Sequence, residues 1–435
     1  MHENEKEKLK KKVFQNIDDD DSIDFIRSLV RLPSESGGPT LAQELVLQKM
    51  KDFNMSIDKF TATLKDVEDL PDYCPLDESE ILDERAYNLV GVKKGNNKGK
   101  SLMLFGHIDT QPSTSENRMD AYKGNLTSDK IYGHGIADDK CGIAMMLLAA
   151  EAVLKETELD GDLILMSVLG KRGGSAGTAS AIARGYQANG GVYLHPAETG
   201  YGFREIKNNS MGAVDFIVRV TGKSGPNAIQ LGDTEINAIK KGSDVVKAMH
   251  EWDTERRKRV LFEEGTYKGT PKTKLSICLI EGGQRIGRTP VSCDIKSIIY
   301  FGEGESVSSV LDDLRNYFKE CFKDDPWLSE NVPTVEVMNL RATPALVKEN
   351  SPLVKTIEKN IREIAGIDEF FYQAHGASDI RHPIVYGNTP AVGIGPRCGG
   401  LYGDDWTEWV DRNDFLTGIR ILASLIIDWC ILANR

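Results

Sequence analysis

Leu102-Met103-Leu104-Phe105-Gly106-His107-Ile108-Asp109-Thr110-Gln111-Pro112 is the stretch that decides the fold. Its first four residues form an unbroken apolar run, which reads as a buried strand. His107 and Asp109 follow, two apart, so an extended backbone points them to the same side. At a strand's end they put an imidazole and a carboxylate on one spot. A metal-binding His usually needs a partner that holds its ring and fixes its tautomer, and this spacing offers one. The alternative is a buried His hydrogen-bonded to a neighbouring Asp. This segment alone does not separate the two.

Outward from it the pattern repeats. Residues 88–92 read as a strand, 142–154 as an Ala/Met/Leu-rich buried helix and 162–169 as a strand. Residues 177–185 open a helix, and 191–194 read as another strand. Strands alternating with helices predict an α/β fold with a mostly parallel sheet flanked by helices. Ligands in such sheets bind beyond the carboxyl ends of the strands. His107 and the residues after Leu169 and Leu194 fall at such ends, and Asp138 precedes a helix on the same side.

The middle of the chain changes character. Residues 213–220 alternate as a half-buried strand, and 236–252 are amphipathic. Residues 275–280 and 293–300 read as strands, 307–322 as a helix and 334–338 as a strand. That order, βαββαβ, is the ferredoxin-like unit. It predicts an inserted domain over 210–345, with 1–209 and 346–435 forming the α/β domain. The return is predicted as a helix over 353–365, strands around 384–386 and 391–394, and a last helix over 414–433. That helix is apolar nearly all round and should be buried.

The 435 residues carry a net charge of −12, which argues against a nucleic-acid or anionic-membrane partner. No apolar run reaches membrane-spanning length. The Lys- and Glu-rich start, residues 1–12, lacks the apolar core of a secretory signal. The acidic run Asp18 to Asp21 reads as a helix start. Seven scattered Cys with no Cys-x-x-Cys pair point to a reducing cytoplasm.

A second signal is Tyr132-Gly133-His134-Gly135-Ile136-Ala137-Asp138-Asp139-Lys140-Cys141-Gly142, a glycine-rich turn running into the buried helix. Asp138 either projects into the mouth of the sheet or caps the helix. Together the two segments resemble the zinc-dependent aminoacylases and carboxypeptidases, the family of acetylornithine deacetylase, succinyl-diaminopimelate desuccinylase and glutamate carboxypeptidase. Further likeness lies in Gly173 to Thr178, His195 to Gly200, Ile236 to Ile239, Ala377 to Arg381 and Glu408-Trp409-Val410. The resemblance covers essentially the whole chain. It implies that the inserted domain is a lid through which two copies form a homodimer. It also implies two zinc ions sharing an Asp, with a Glu as general base. By the same resemblance His107 is a ligand, Asp109 its orienting carboxylate and Asp138 the bridge. Glu198 is the later acidic ligand, with His195 a rival.

Five family positions depart from that pattern. The general base position is Gly170 and the adjoining ligand position is Lys171. Asp404 stands where a C-terminal His ligand is expected, and Pro226 where the lid His is expected. A lid Arg corresponds to Tyr300. Loss of a general base typically costs about a hundredfold to ten-thousandfold, so standard two-zinc catalysis is not expected. The expectation is that Lys171 pairs with Asp404 and Asp138 in place of one metal, while His107, Asp138 and Glu198 hold a single zinc. Lys171 or His195 would then move protons, with Asp109 in support. Arg381 and Arg397 are expected at the pocket's edge, the alternative being loop and strand-end structure.

Three functions follow. One is a standard metal-dependent hydrolase of an N-acyl amino acid or small peptide. The second is an enzyme with altered chemistry in the same pocket: an atypical amide hydrolase, a lyase, an isomerase or a cyclase. The third is a non-catalytic relative that binds a small ligand or a partner. The expectation is an atypical amidohydrolase acting on a small N-acyl amino acid or amino-acid-derived amide.

Overall fold

The computed structural model describes residues 3–35, 40–68, 70, 86–113, 118–170, 175–195, 200–224, 235–376, 378–400 and 407–432. It has two compact units. The first comprises Met1–Asp69, Pro75–Asn209 and Leu346–Arg435; the second comprises Leu70–Cys74 and Ser210–Ala345.

In the first unit, helices α1 (Glu3–Gln15), α2 (Asp19–Val30) and α3 (Ala42–Asp52) precede strand β1 (Ser56–Phe60). The Asp18 side chain accepts from the Asp21 N–H and caps α2, so the acidic run does start a helix. Then come β2 (Asn88–Lys93), β3 (Leu102–His107), β4 (Lys130–Tyr132), α4 (Cys141–Leu154), β5 (Leu163–Val168), α5 (Ala176–Ala183) and β6 (Gly190–Tyr193).

Strand β7 (Glu205–Thr221) contains the boundary between the units. The second unit continues with α6 (Ala238–Arg259), β8 (Thr273–Gly282), β9 (Ser292–Phe301), α7 (Val307–Cys321) and β10 (Thr334–Ala342). The first unit resumes with α8 (Pro352–Ala365), β11 (Phe371–Gly376), α9 (Arg381–Val385), β12 (Ala391–Gly393), β13 (Cys398–Gly399), β14 (Trp409–Asp411) and α10 (Arg412–Cys430).

The first unit's sheet runs β1-β2-β5-β3-β6-β12. Its centre is parallel: β3 pairs with β5 and β6, and β6 with β12, while β1 and β2 add antiparallel edges. Period-two alternation sends Leu102 and Leu104 to one face, with Leu163 and Leu165, against α2, α4, α8 and α10. Met103 and Phe105 face the other side, with Ile164 and Met166, against α5 and α9. Burying each such side chain contributes roughly 1.5–3 kcal/mol, which is why an unbroken apolar run is tolerated here. Helix α10 is buried along most of its length.

One expected element is different. Residues 384–386 are not a strand; they end helix α9 and its cap. Pro383 explains it, because it has no N–H for a sheet ladder yet fits the first turn of a helix. A three-residue apolar run is too short to reveal its period.

In the second unit the order is β7, α6, β8, β9, α7, β10, the βαββαβ arrangement, with the strands laid out β8-β9-β7-β10 and all antiparallel. Val214, Phe216, Val218 and Val220 line one face with Ile295 and Ile299, under Val245, Met249, Leu314 and Phe318 of the two helices. Tyr300 sits on β9 opposite Ala213. Among the described residues no helix is long and apolar enough to cross a membrane.

Candidate metal centre

Three strand ends meet at one edge of the first unit's sheet. The register pairs His107 with Val168, and Phe105 with Tyr193, so His107, Gly170 and His195 all emerge from the carboxyl edge. Asp138 comes from the segment Ile136–Lys140 that leads into α4, where its own backbone (φ −136°, ψ 79°) is extended rather than helical. Gly142 sets how close it comes. A Cβ there would lie 1.9 Å from the Leu194 carbonyl oxygen, so only glycine lets α4 start beneath the end of β6.

His107, Asp138 and His195 form a buried group whose nearest donor atoms all lie within 4.8 Å of one another. His107 Nε2 is 2.8 Å from Asp138 Oδ1, and His195 Nε2 is 3.0 Å from the same oxygen. The other ring nitrogens meet opposite partners. His107 Nδ1 stands 3.0 Å from the Asp109 backbone carbonyl, whereas His195 Nδ1 stands 3.1 Å from Lys207 Nζ.

The first of these corrects an expectation. The Asp109 carboxylate is 3.7 Å from His107 Nδ1, outside hydrogen-bond reach. The carbonyl of Asp109 holds the ring instead. Its Oδ1 accepts from the Gly170 N–H at 3.0 Å and ties the end of β5 to that of β3.

Glu408 holds the Asp138 turn. Its carboxylate accepts from the backbone N–H groups of Gly135 (2.8 Å), Ala137 (2.7 Å) and Asp138 (3.2 Å). The motif around Glu408 was legible in the sequence, but this role was not. His375 on β11 was not anticipated either; its ring centroid lies 5.3 Å from that of His195.

Further carboxylates surround the group. Asp379 accepts hydrogen bonds from Ser175 and from Thr178 (2.6 Å). Burial alone would raise its pKa, but the neighbouring His107 and these hydroxyls hold it below the ordinary carboxylate value. Burial pushes Asp139 well above that value, and the charge of Asp379 adds to the rise while His107 opposes it. Lys140 is buried too, which lowers it to about 7, and its Nζ donates to the Leu32 carbonyl at 2.8 Å.

Lys171, Glu198, Asp404 and Pro226 lie outside the described residues. Arg381 is buried at the start of α9. The half-exposed Arg397 commits its guanidinium to Asp411 (2.9 Å) and Asp414 (2.9 Å) at the start of α10. Gly170 has no room for a side chain, since a Cβ would lie 2.8 Å from Ser175 Cα.

The donors test differently for a metal. A carbonyl on His107 Nδ1 fixes the proton there and aims the Nε2 lone pair at Asp138, the arrangement of a ligating His. His107 and Asp138 therefore fit a cation. His195 offers a donor atom at the right place, but an ammonium on its second nitrogen is the reverse of what a ligand His has.

Comparison with known proteins gives a consistent outcome. The model described as Peptidase family M20/M25/M40 matches residues 103–428. An N-formyl-4-amino-5-aminomethyl-2-methylpyrimidine deformylase from Halalkalibacterium halodurans is 28% identical over 259 residues, 57% of this chain and 59% of that protein. The match thus spans less than two thirds of the relative. A succinyl-diaminopimelate desuccinylase from Thioalkalivibrio sulfidiphilus is 24% identical over 349 residues, 78% of this chain and 86% of that protein. The structure of aminopeptidase PepT from Bacillus cereus ATCC 10987 superposes with a TM-score of 0.72 at 16% identity, covering 95% of this chain and 99% of that one. That last likeness is one of fold.

Proposed function

The chain belongs to peptidase family M20/M25/M40, and from that premise we propose that it hydrolyses the amide bond of a small N-acyl amino acid or amino-acid-derived amide by a non-standard route. The observation that carries the reading is the His107–Asp138–His195 group at the carboxyl edge of the parallel strands. Relatives named as a deformylase and a desuccinylase support a small N-acyl substrate.

We take the cofactor to be zinc, one ion per chain, because imidazole and carboxylate donors suit it. Bound there, it would polarise the scissile carbonyl and make the attacking water more acidic. The chain's own residues do the rest. Glu408 fixes the Asp138 turn, and the Asp109 carbonyl orients His107. Gly170 cannot serve as base, so proton transfer falls to an imidazole at the group. His195, with its Nε2 on Asp138 Oδ1, is placed to pass a proton to that carboxylate or to the leaving amine rather than to take one from water.

A second reading has one observation in its favour. Lys207 completes the hydrogen bonds of His195 without any metal, as a non-catalytic ligand-binding relative would allow. We further read the protein as a cytoplasmic homodimer that joins through its second unit. Free thiols at Cys141, Cys278, Cys293, Cys321, Cys398 and Cys430 support the first part. The second is supported by edge strand β8, with Leu279 and Ile280 each 55% exposed.

The test is metal analysis of chelator-free protein with an amine-release assay on N-formyl, N-acetyl and N-succinyl amino acids. One equivalent of zinc with release from one acyl class supports the proposal. No release from the whole panel after loading with zinc, manganese or cobalt would overturn it.

A further inference from the structure

The two histidines of the centre are wired oppositely. Protonated lysine is a donor only, so the Lys207 ammonium, 3.1 Å away, demands the lone pair of His195 Nδ1. The single proton of the neutral ring then belongs on Nε2, 3.0 Å from Asp138 Oδ1, where it is donated. A nitrogen carrying a proton has no lone pair for a metal.

Lys207 is built into this position. It lies on β7 opposite Gly393 of β12 and is only 3% exposed. A Cβ on Gly393 would come 3.1 Å from Lys207 Cβ and 3.3 Å from its Cδ, so the lysine stem lies over the bare glycine.

We propose that Lys207 takes His195 out of metal coordination and fixes it as the hydrogen-bond donor of Asp138. Lys207 is thus a positioning residue and an internal cation of the centre, and a metal there draws on His107 and Asp138 but not on His195. The part concerning metal rests on the metal-dependent reading above; the tautomer does not.

The test uses the full-length protein labelled with 15N-histidine. Long-range 1H–15N correlation spectra report which ring nitrogen carries the proton, and the His195→Gln variant identifies the His195 signals. The expected result is a protonated Nε2 on His195, unchanged when one equivalent of zinc shifts His107 Nε2. Lys207→Met should move or split the His195 tautomer, Lys207→Arg should preserve it, and Gly393→Ala should act like Lys207→Met by displacing the lysine stem. Because Lys207→Met risks misfolding, Lys207→Arg and Gly393→Ala carry the comparison if it does. A His195 Nε2 that shifts with His107 on zinc addition overturns the proposal, as does a metal-free His195 protonated on Nδ1. If zinc does not bind at all, the metal-dependent function fails, while the metal-free spectra still decide the role of Lys207.

Discussion

Glu408 grips the backbone of Asp138: its Oε1 accepts from the Asp138 N–H at 3.2 Å and from the preceding Ala137 N–H at 2.7 Å, while Oε2 takes the Gly135 N–H. Hydrogen bonds to a buried charged acceptor are worth about 1.5–3 kcal/mol each. Glu408→Ala should therefore destabilise the protein by about 3 kcal/mol or more in urea unfolding. It should also lower zinc occupancy, because Asp138 loses its fixed position. Glu408→Gln keeps one acceptor oxygen and should fall between. Full occupancy in the alanine variant would show that the turn holds itself.

The carbonyl of Asp109, not its carboxylate, meets His107. Removing a true orienting partner typically costs 10–100-fold in metal affinity. Asp109→Asn keeps the carbonyl, so its zinc affinity by competitive titration should change by less than about tenfold. His107→Ala should lose the metal outright. A hundredfold loss in Asp109→Asn would return the carboxylate to the orienting role.

Gly170→Glu should fail to restore a general base. Its Cβ would stand 2.8 Å from Ser175 Cα, and overpacking of that kind costs about 1–3 kcal/mol. The expected outcome is a lower melting temperature with no rise in amide hydrolysis. A variant that melts normally and turns over faster would mean that the loop readily moves aside.

Acid should weaken one clamp between α3 and α4. Glu151 sits 2.5 Å from Lys49 and 2.9 Å from Lys155. Burial alone would raise its pKa, but hydrogen bonds from those two lysines lower it below the ordinary glutamate value. A lowered folded pKa gives stability that is present above the unfolded value, about 4.3, and lost as pH falls through the folded one. Wild type should exceed Glu151→Gln by about 1 kcal/mol at pH 7, allowing for partial exposure. The gap should close below about pH 4. A gap independent of pH would assign the effect to packing.

Charge on the open strand should break the proposed dimer. Leu279→Lys with Ile280→Lys places two like charges on β8, an edge treatment that blocks strand pairing. Light scattering should then read a monomer where the parent reads a dimer. A parent that is already monomeric at micromolar concentration refutes that arrangement.

The sheet was legible because burial on both faces leaves an unmistakable apolar run, as in Leu102 to Phe105, and because His107 ends it. The α9 segment was not, since Pro383 alone distinguishes it from a strand. At the centre, His107, Asp138 and His195 were readable from local motifs. Glu408 and Lys207 were not readable as its partners, because tertiary folding alone brings them to Asp138 and His195. The sequence pointed to an internal cation at Lys171. That residue is outside the described set, and the ammonium beside His195 comes from Lys207.

Gly393 gives that lysine its room, and this ties two positions distant in sequence into one packing unit. A Cβ at 393 would lie 3.1 Å from Lys207 Cβ and force the lysine stem to give by a few tenths of an ångström, straining the contact of its amine with the imidazole. Glycine at 393 with lysine at 207 is therefore a two-letter signature. Relatives that carry both letters are expected to share the proposed arrangement, which can be read from sequence before any of them is purified.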